Sequence, residues 1–159
     1  MDTGLLEVYR SLQQGTPLVV ATIIGSRGSV PRKTGSKIIV FENGRTAGTI
    51  GGGAIEGDVI QRARAAFNTK RGDIASYDLR KNGTSADLDL ICGGHMDVML
   101  EYVNADKENL LLYGEACRKI ANEQSFLWKA LITRQDIGIV LERCILDAKD
   151  AGKDKHLNS

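Results

Sequence analysis

Residues 48–56 read Gly48-Thr49-Ile50-Gly51-Gly52-Gly53-Ala54-Ile55-Glu56, and the fold is decided by how this stretch is taken. Apolar and β-branched residues lead into three glycines, and a helix-compatible sequence leads out, so the stretch is a strand-to-helix turn. Upstream, Lys37 to Phe41 forms a strand that returns through Glu42-Asn43-Gly44-Arg45 into Thr46 to Ile50, because Asn-Gly favours a tight hairpin turn. Downstream, Ile55, Val59, Ile60, Ala63 and Phe67 recur along one side of a helix from Ala54 to about Phe67. Strands feeding helices in a 159-residue chain predict an α/β fold, a single domain with a mixed β-sheet flanked by helices.

Working outward, Leu5, Leu6, Val8, Tyr9 and Leu12 have helical spacing, and Gly15 with Pro17 stops them. Leu18 to Ile24 is a buried strand, and Gly25 to Gly35 a loop. Ile74 to Leu79 suits a strand ending in the turn-rich Lys81-Asn82-Gly83-Thr84-Ser85. In Met96 to Val103, Met96, Val98 and Leu100 alternate with Asp97, Met99 and Glu101, a strand with one apolar and one polar side. A helix near Lys107 to Asn122 and a strand near Phe126 to Thr133 follow, and Ile137 to Ala148 suits a helix or a strand plus helix. The domain therefore spans 1–148, and 149–159 is a charged, flexible tail.

Composition excludes several classes. Lys and Arg number 21 against 20 Asp and Glu, so no global basic field calls for nucleic acid. Three cysteines without a framework spacing do not make a disulfide-stapled secreted domain. The start lacks a signal peptide's basic and apolar regions, and no apolar run approaches the roughly 18 residues of a membrane span. A cytoplasmic location, with no membrane partner, is expected. Charge is nevertheless segregated: Arg27 to Arg64 carries seven Lys/Arg and three Asp/Glu, Asn82 to Ala116 one Lys and seven Asp/Glu.

Three segments carry candidate chemistry. At Gly51-Gly52-Gly53, backbone N–H groups free of side-chain bulk meet the start of a helix, an arrangement that attracts anions. The same glycines also suit a tight turn where larger side chains would clash. Glu56 either complements the helix dipole or acts as a base. Ser26-Arg27-Gly28-Ser29-Val30-Pro31-Arg32-Lys33 offers hydroxyls and arginine forks that suit phosphate, or simply a solvated loop. Cys92-Gly93-Gly94 presents a cysteine with little bulk beside it: either a thiolate for a metal or sulfur transfer, or a small buried hydrophobe at a bulge. Cys117 and Cys144 are expected in the core. No CxxC exists and His95 has no histidine four residues on, so zinc is unsupported. No nucleophile elbow supports a Ser/His/Asp triad.

Gly28-Ser29-Val30-Pro31-Arg32, the strand Lys37 to Phe41, Gly48 to Gly53 with Glu56, and Cys92-Gly93-Gly94 with Asp97 to Glu101 resemble the N-terminal domain of the XdhC/CoxI family. These are the xanthine dehydrogenase accessory proteins, and the resemblance covers about residues 1 to 103 in order and spacing. It implies a molybdenum cofactor (molybdopterin) chaperone more than an enzyme. Such a factor binds the cofactor transiently while a cysteine desulfurase supplies sulfur, then passes it to a molybdenum hydroxylase apo-enzyme. On top of that resemblance, the expected cofactor-binding residues are Ser29, Arg32, Thr49, Gly51, Gly52, Gly53, Glu56, Cys92, Gly93 and Gly94, with Cys92 near the molybdenum. Many members continue into a Rossmann domain opening with a GAGHV-like turn, and none follows Val103 here. A separate Rossmann-domain chain, a cut-short sequence and a self-sufficient short form are the alternatives, and a homodimer is a further expected partner. Two other function classes are a persulfide sulfur transferase acting through Cys92, and a non-catalytic interaction module.

Overall fold

The computed structural model of the chain describes residues 3–79, 93–136 and 138–149. The order is α1 (Thr3–Gln13), β1 (Leu18–Arg27), β2 (Lys37–Phe41), β3 (Thr46–Gly48), α2 (Gly53–Thr69), β4 (Asp73–Asp78), β5 (His95–Val103), α3 (Lys107–Ala121), β6 (Phe126–Arg134) and β7 (Ile139–Asp147). Five strands form one sheet in the order β3-β2-β1-β5-β4, and β6 and β7 form a separate two-stranded ribbon. The α/β expectation holds, with the sheet flanked by helices. Instead of the mixed sheet expected, every named strand pairing is antiparallel. Central strands read as continuous apolar runs because helices cover both faces of the sheet, which has the same effect on sequence as a parallel arrangement.

One layer of core lies between the sheet and α2. Val19, Ala21 and Ile23 of β1, Ile38 and Val40 of β2, and Val98 and Leu100 of β5 meet Ile55, Val59 and Ala63 there. The alternate residues Leu18, Val20, Ile39 and Val103 turn to the other face and pack on Val8 and Leu12 of α1 and Tyr113 of α3. The period of two along each strand thus sorts residues between two helical layers. The β2–β3 turn is as expected: Gly44 N–H donates to the Phe41 carbonyl, and Asn43 Oδ1 accepts from Arg45 N–H. Asp106 caps α3 by accepting from Asn109 N–H at 2.9 Å.

Four further expectations are corrected. First, β1 continues through Gly25 to Arg27 before the loop begins, because β5 pairs with it as far as Arg27 and His95 across a bulge at Ile23/Gly25. Second, Glu101, assigned to a polar side of β5, is only 4% exposed. Its carboxylate accepts from Arg143 Nη1 of β7, so the side is polar in composition yet buried by the ribbon. Burial, the dominant influence, pushes this carboxyl above its ordinary value, against the opposing pull of Arg143. Third, Ile137 to Ala148, read as a helix or a strand plus helix, holds the single strand β7, paired with β6 along its whole length. Its apolar residues fit both periods, and only the partner strand decides. Fourth, Cys144 is exposed and Cys117 half-buried, so neither is a fully buried core residue. Along the ribbon, even-numbered residues of β6 face the body of the protein, with Trp128 against Tyr113 at 5.0 Å between ring centroids, whereas Cys144 is on the opposite face.

Candidate functional site

The glycine turn is built around Glu56. Gly51, Gly52 and Gly53 have φ of 132°, 78° and 63°, a left-handed run that residues with a Cβ rarely adopt. It reverses the chain from β3 and aims the start of α2 back at it. One oxygen of Glu56, Oε2, then accepts three hydrogen bonds: from Thr49 Oγ1 at 2.7 Å, Ile50 N at 3.2 Å and Gly52 N at 3.1 Å. Thr49 Oγ1 in turn accepts from Gly51 N at 3.1 Å. The carboxylate that meets the N–H groups of this turn is the protein's own. What stays open lies on the outer side: Gly52 and Gly53 face space in which an added Cβ would meet nothing within 4 Å. The α2 start carries no side-chain cap, so its first-turn N–H groups lack that partner.

The Ser29 to Arg32 loop is wedged between this turn and the Gly93-Gly94 pair. A Cβ on Gly51 would stand 2.6 Å from Pro31 Cγ, so turn and loop touch. On the loop's other side, a Cβ on Gly94 would collide with the Ser29 carbonyl oxygen and stand 2.6 Å from that of Arg27. Ser29 and Gly93 form a parallel bridge there. Backbone packed this closely against backbone is the reason for glycine at 94. The three separated motifs thus converge through one loop, with Ser29 and Arg32 exposed upon it. Cys92 lies outside the described residues, so its expected proximity to a metal stays an expectation. Among the described residues no group of three or more His, Cys, Asp or Glu is placed to hold a metal.

Beyond Gly94 the sheet end opens into a cleft of about 490 Å³ lined by Arg27, Gly28, Gly93, Gly94, His95 and Asp97. Asp97 Oδ1 accepts from Ser76 Oγ at 2.5 Å and lies 3.1 Å from His95 Nε2. The Ser76 bond chiefly, with His95 in support, holds the Asp97 carboxyl below its ordinary value of 3.8. Ser76 and His95 both bond the carboxylate and not each other in these contacts, so this is no nucleophile–base pair. In the sequence Asp97 stands within a motif and Arg27 within the cationic Ser26 to Lys33 loop, whereas Ser76 stands in neither. Only the antiparallel registers of β1 with β5 and β4 with β5 set Arg27 opposite His95 and Ser76 opposite Asp97.

Comparison with known proteins follows the same residues. The model of the XdhC and CoxI family matches residues 11–78. An uncharacterized protein of Escherichia coli (strain K12), YqeB, is 33% identical over 108 residues, 68% of this chain and 19% of that protein. A probable xanthine dehydrogenase subunit of Bacillus subtilis (strain 168) is 31% identical over 97 residues, 60% of this chain and 29% of the other. The crystal structure of a xanthine dehydrogenase from Bacillus halodurans superposes with a TM-score of 0.66 at 27% identity, covering 89% of this chain and 42% of that one. The chain spans less than half the length of each of these proteins.

Proposed function

Residues 11–78 place the chain in the XdhC and CoxI family, and from that premise we propose that it is a cofactor-holding domain of a xanthine dehydrogenase accessory factor, binding the molybdenum cofactor for a molybdenum hydroxylase. The observation that carries this reading is the convergence of the glycine turn, the Ser29 to Arg32 loop and Gly93-Gly94 at one end of the sheet. The residues suit such a ligand. Arg32 offers a planar fork and Ser29 a hydroxyl to a phosphate, and the open faces of Gly52 and Gly53 admit it to the start of α2. Glu56 fixes the turn by holding Ile50 and Gly52 N–H. Gly94 keeps the loop in register with β5.

The cofactor, when bound, supplies the redox-active molybdenum on which the hydroxylase depends. The chain's own share is to bind, orient and release it, with Cys92 as the soft donor toward metal or sulfur. Sulfur delivery by a cysteine desulfurase and transfer to the apo-enzyme complete the proposal. The test is molybdenum analysis together with fluorescence of the oxidised pterin on protein purified from a cofactor-producing host. Molybdenum and pterin retained in equal amounts support it, and protein devoid of both overturns it. Arg32→Lys keeps the charge but loses the fork, and should retain clearly less cofactor than the wild type.

A further inference from the structure

The cleft beside Asp97 has features that a phosphate site does not explain. An ionised carboxylate presents about four acceptor positions. Ser76 and His95 take those of Oδ1, and among the described residues none donates to Oδ2. Directly across the strand pair stands Gly25, where a Cβ would lie 3.3 Å from Oδ2. Gly25 does not have a positive φ, so backbone conformation does not demand glycine there. The missing side chain instead leaves Oδ2 approachable. Arg27, a planar cation, lines the same cleft, and guanidinium planes stack on flat rings. A fixed, ionised carboxylate with two acceptor positions left, glycines around it and a stacking cation is a receptor for two adjacent N–H donors on a flat heterocycle.

We propose that the Asp97 cleft receives the aminopyrimidinone edge that pterins and guanine share, with Asp97 Oδ2 accepting from the exocyclic amine and the neighbouring ring N–H. Pterin as the natural source rests on the function proposed above; the cleft's preference for this edge does not. The volume of about 490 Å³ lies within the range of small-ligand sites. Ser76 and His95 act as positioning residues, holding the carboxylate so that the donors meet it without reorganisation.

The experiment is titration calorimetry of the whole chain with hydroxymethylpterin, guanosine monophosphate and lumazine. Lumazine keeps the bicyclic ring and carries an oxo group where pterin carries the amine. The expected result is pterin or guanosine monophosphate binding at least about tenfold tighter than lumazine, the discrimination of one well-placed charged hydrogen bond. Asp97→Asn and, separately, Gly25→Ala should each reduce that preference to about threefold or less while thermal melting shows a folded protein. Gly25→Ala leaves the carboxylate and its anchors intact, so a folding failure of Asp97→Asn does not remove the test. Whichever of pterin and guanosine monophosphate binds tighter identifies the source. Equal binding of lumazine, no binding of either aminopyrimidinone at millimolar concentration, or an undiminished preference in both variants overturns the proposal. Wild-type protein that discriminates these ligands yet purifies without molybdenum defeats the accessory-factor reading alone. Protein that purifies with molybdenum and ignores the amine defeats the cleft alone.

Discussion

Removing the carboxylate at position 56 tests the construction of the glycine turn. In Glu56→Ala, Ile50 N–H and Gly52 N–H lose their acceptor together with the Thr49 hydroxyl, which can rotate toward water. Ile50 is 1% exposed, so its amide cannot be fully rehydrated. A buried donor left unsatisfied costs about 1–3 kcal/mol, and the more accessible Gly52 adds at most a similar amount. The expected loss is about 2–4 kcal/mol, a large part of the ~5–15 kcal/mol that holds a typical domain together. Glu56→Gln retains an acceptor oxygen of the same reach but no charge, and should lose about 1–2 kcal/mol, since hydrogen bonds to charged groups exceed neutral ones by roughly that margin. The assay is urea unfolding at constant m-value, where the midpoint alone reports stability. A second arm adds acetate at fixed ionic strength. A free carboxylate that fills the vacated cradle should restore part of the Glu56→Ala loss through mass action and leave the wild type unmoved. A Glu56→Ala variant within about 0.5 kcal/mol of wild type, the usual range for a neutral surface change, would refute the reasoning.

Other outcomes follow from features already described. Gly94→Ala drives a methyl group into the Ser29 carbonyl oxygen, so backbone must move and stability should fall by about 1–3 kcal/mol, with cofactor retention falling in the fraction that folds. Arg143→Met removes the cation paired with buried Glu101 and should cost about 3–5 kcal/mol, while the double change Glu101→Met with Arg143→Met should recover only part of that loss, because it leaves the buried Tyr113 hydroxyl without the two groups it bonds; thermal and urea melts of both variants check this. Because burial raises the Glu101 pKa in the native state, the folded protein binds more protons than the unfolded chain from pH 4.5 upward. Its contribution is therefore present below that value and lost as pH rises through the native pKa, so Glu101→Gln should show a flatter fall in stability across this window. Cys92→Ser should fold normally and fail to support activation of an apo-hydroxylase by cofactor and a cysteine desulfurase, whereas Cys144→Ser, at an exposed position, should leave both folding and activation unchanged.

Elements were legible in the sequence wherever local chemistry settles them. The Asn43-Gly44 turn, the stop at Gly15 and Pro17, and the helix from the glycine turn through Phe67 depend on neighbours within a few residues. The edges of β1, the burial of Glu101 and the strand nature of β7 depend on partners far along the chain, which no local period reveals. The site divides the same way. Gly51 to Gly53 stood out by composition, but the role of Glu56 as the turn's internal anion requires its carboxylate to fold back four residues onto Gly52 N–H. Ser76 carried no sequence signal and Arg27 stood out only as a loop cation suited to phosphate, since strand register alone brings them to Asp97 and His95.

The strand order has a consequence for how the chain comes into being. Residues 11–78, the part that matches the family, hold β1 to β4 but not β5, and β5 is the strand lying between β1 and β4. A nascent chain that has emerged only through β4 has an edge on β1 and no neighbour for β4, with Val19, Ala21 and Ile23 short of their β5 neighbours. Hairpin β2–β3 closes locally, whereas pairing Leu18 with Val103 demands closure of a long loop. During synthesis the sheet therefore stays open until the segment ending at Val103 clears the ribosome, and then an interior strand, β5, enters last, as a keystone. A fragment cut after Asp78 should bind exposed-apolar dyes and chaperones, and one extended through α3 should not.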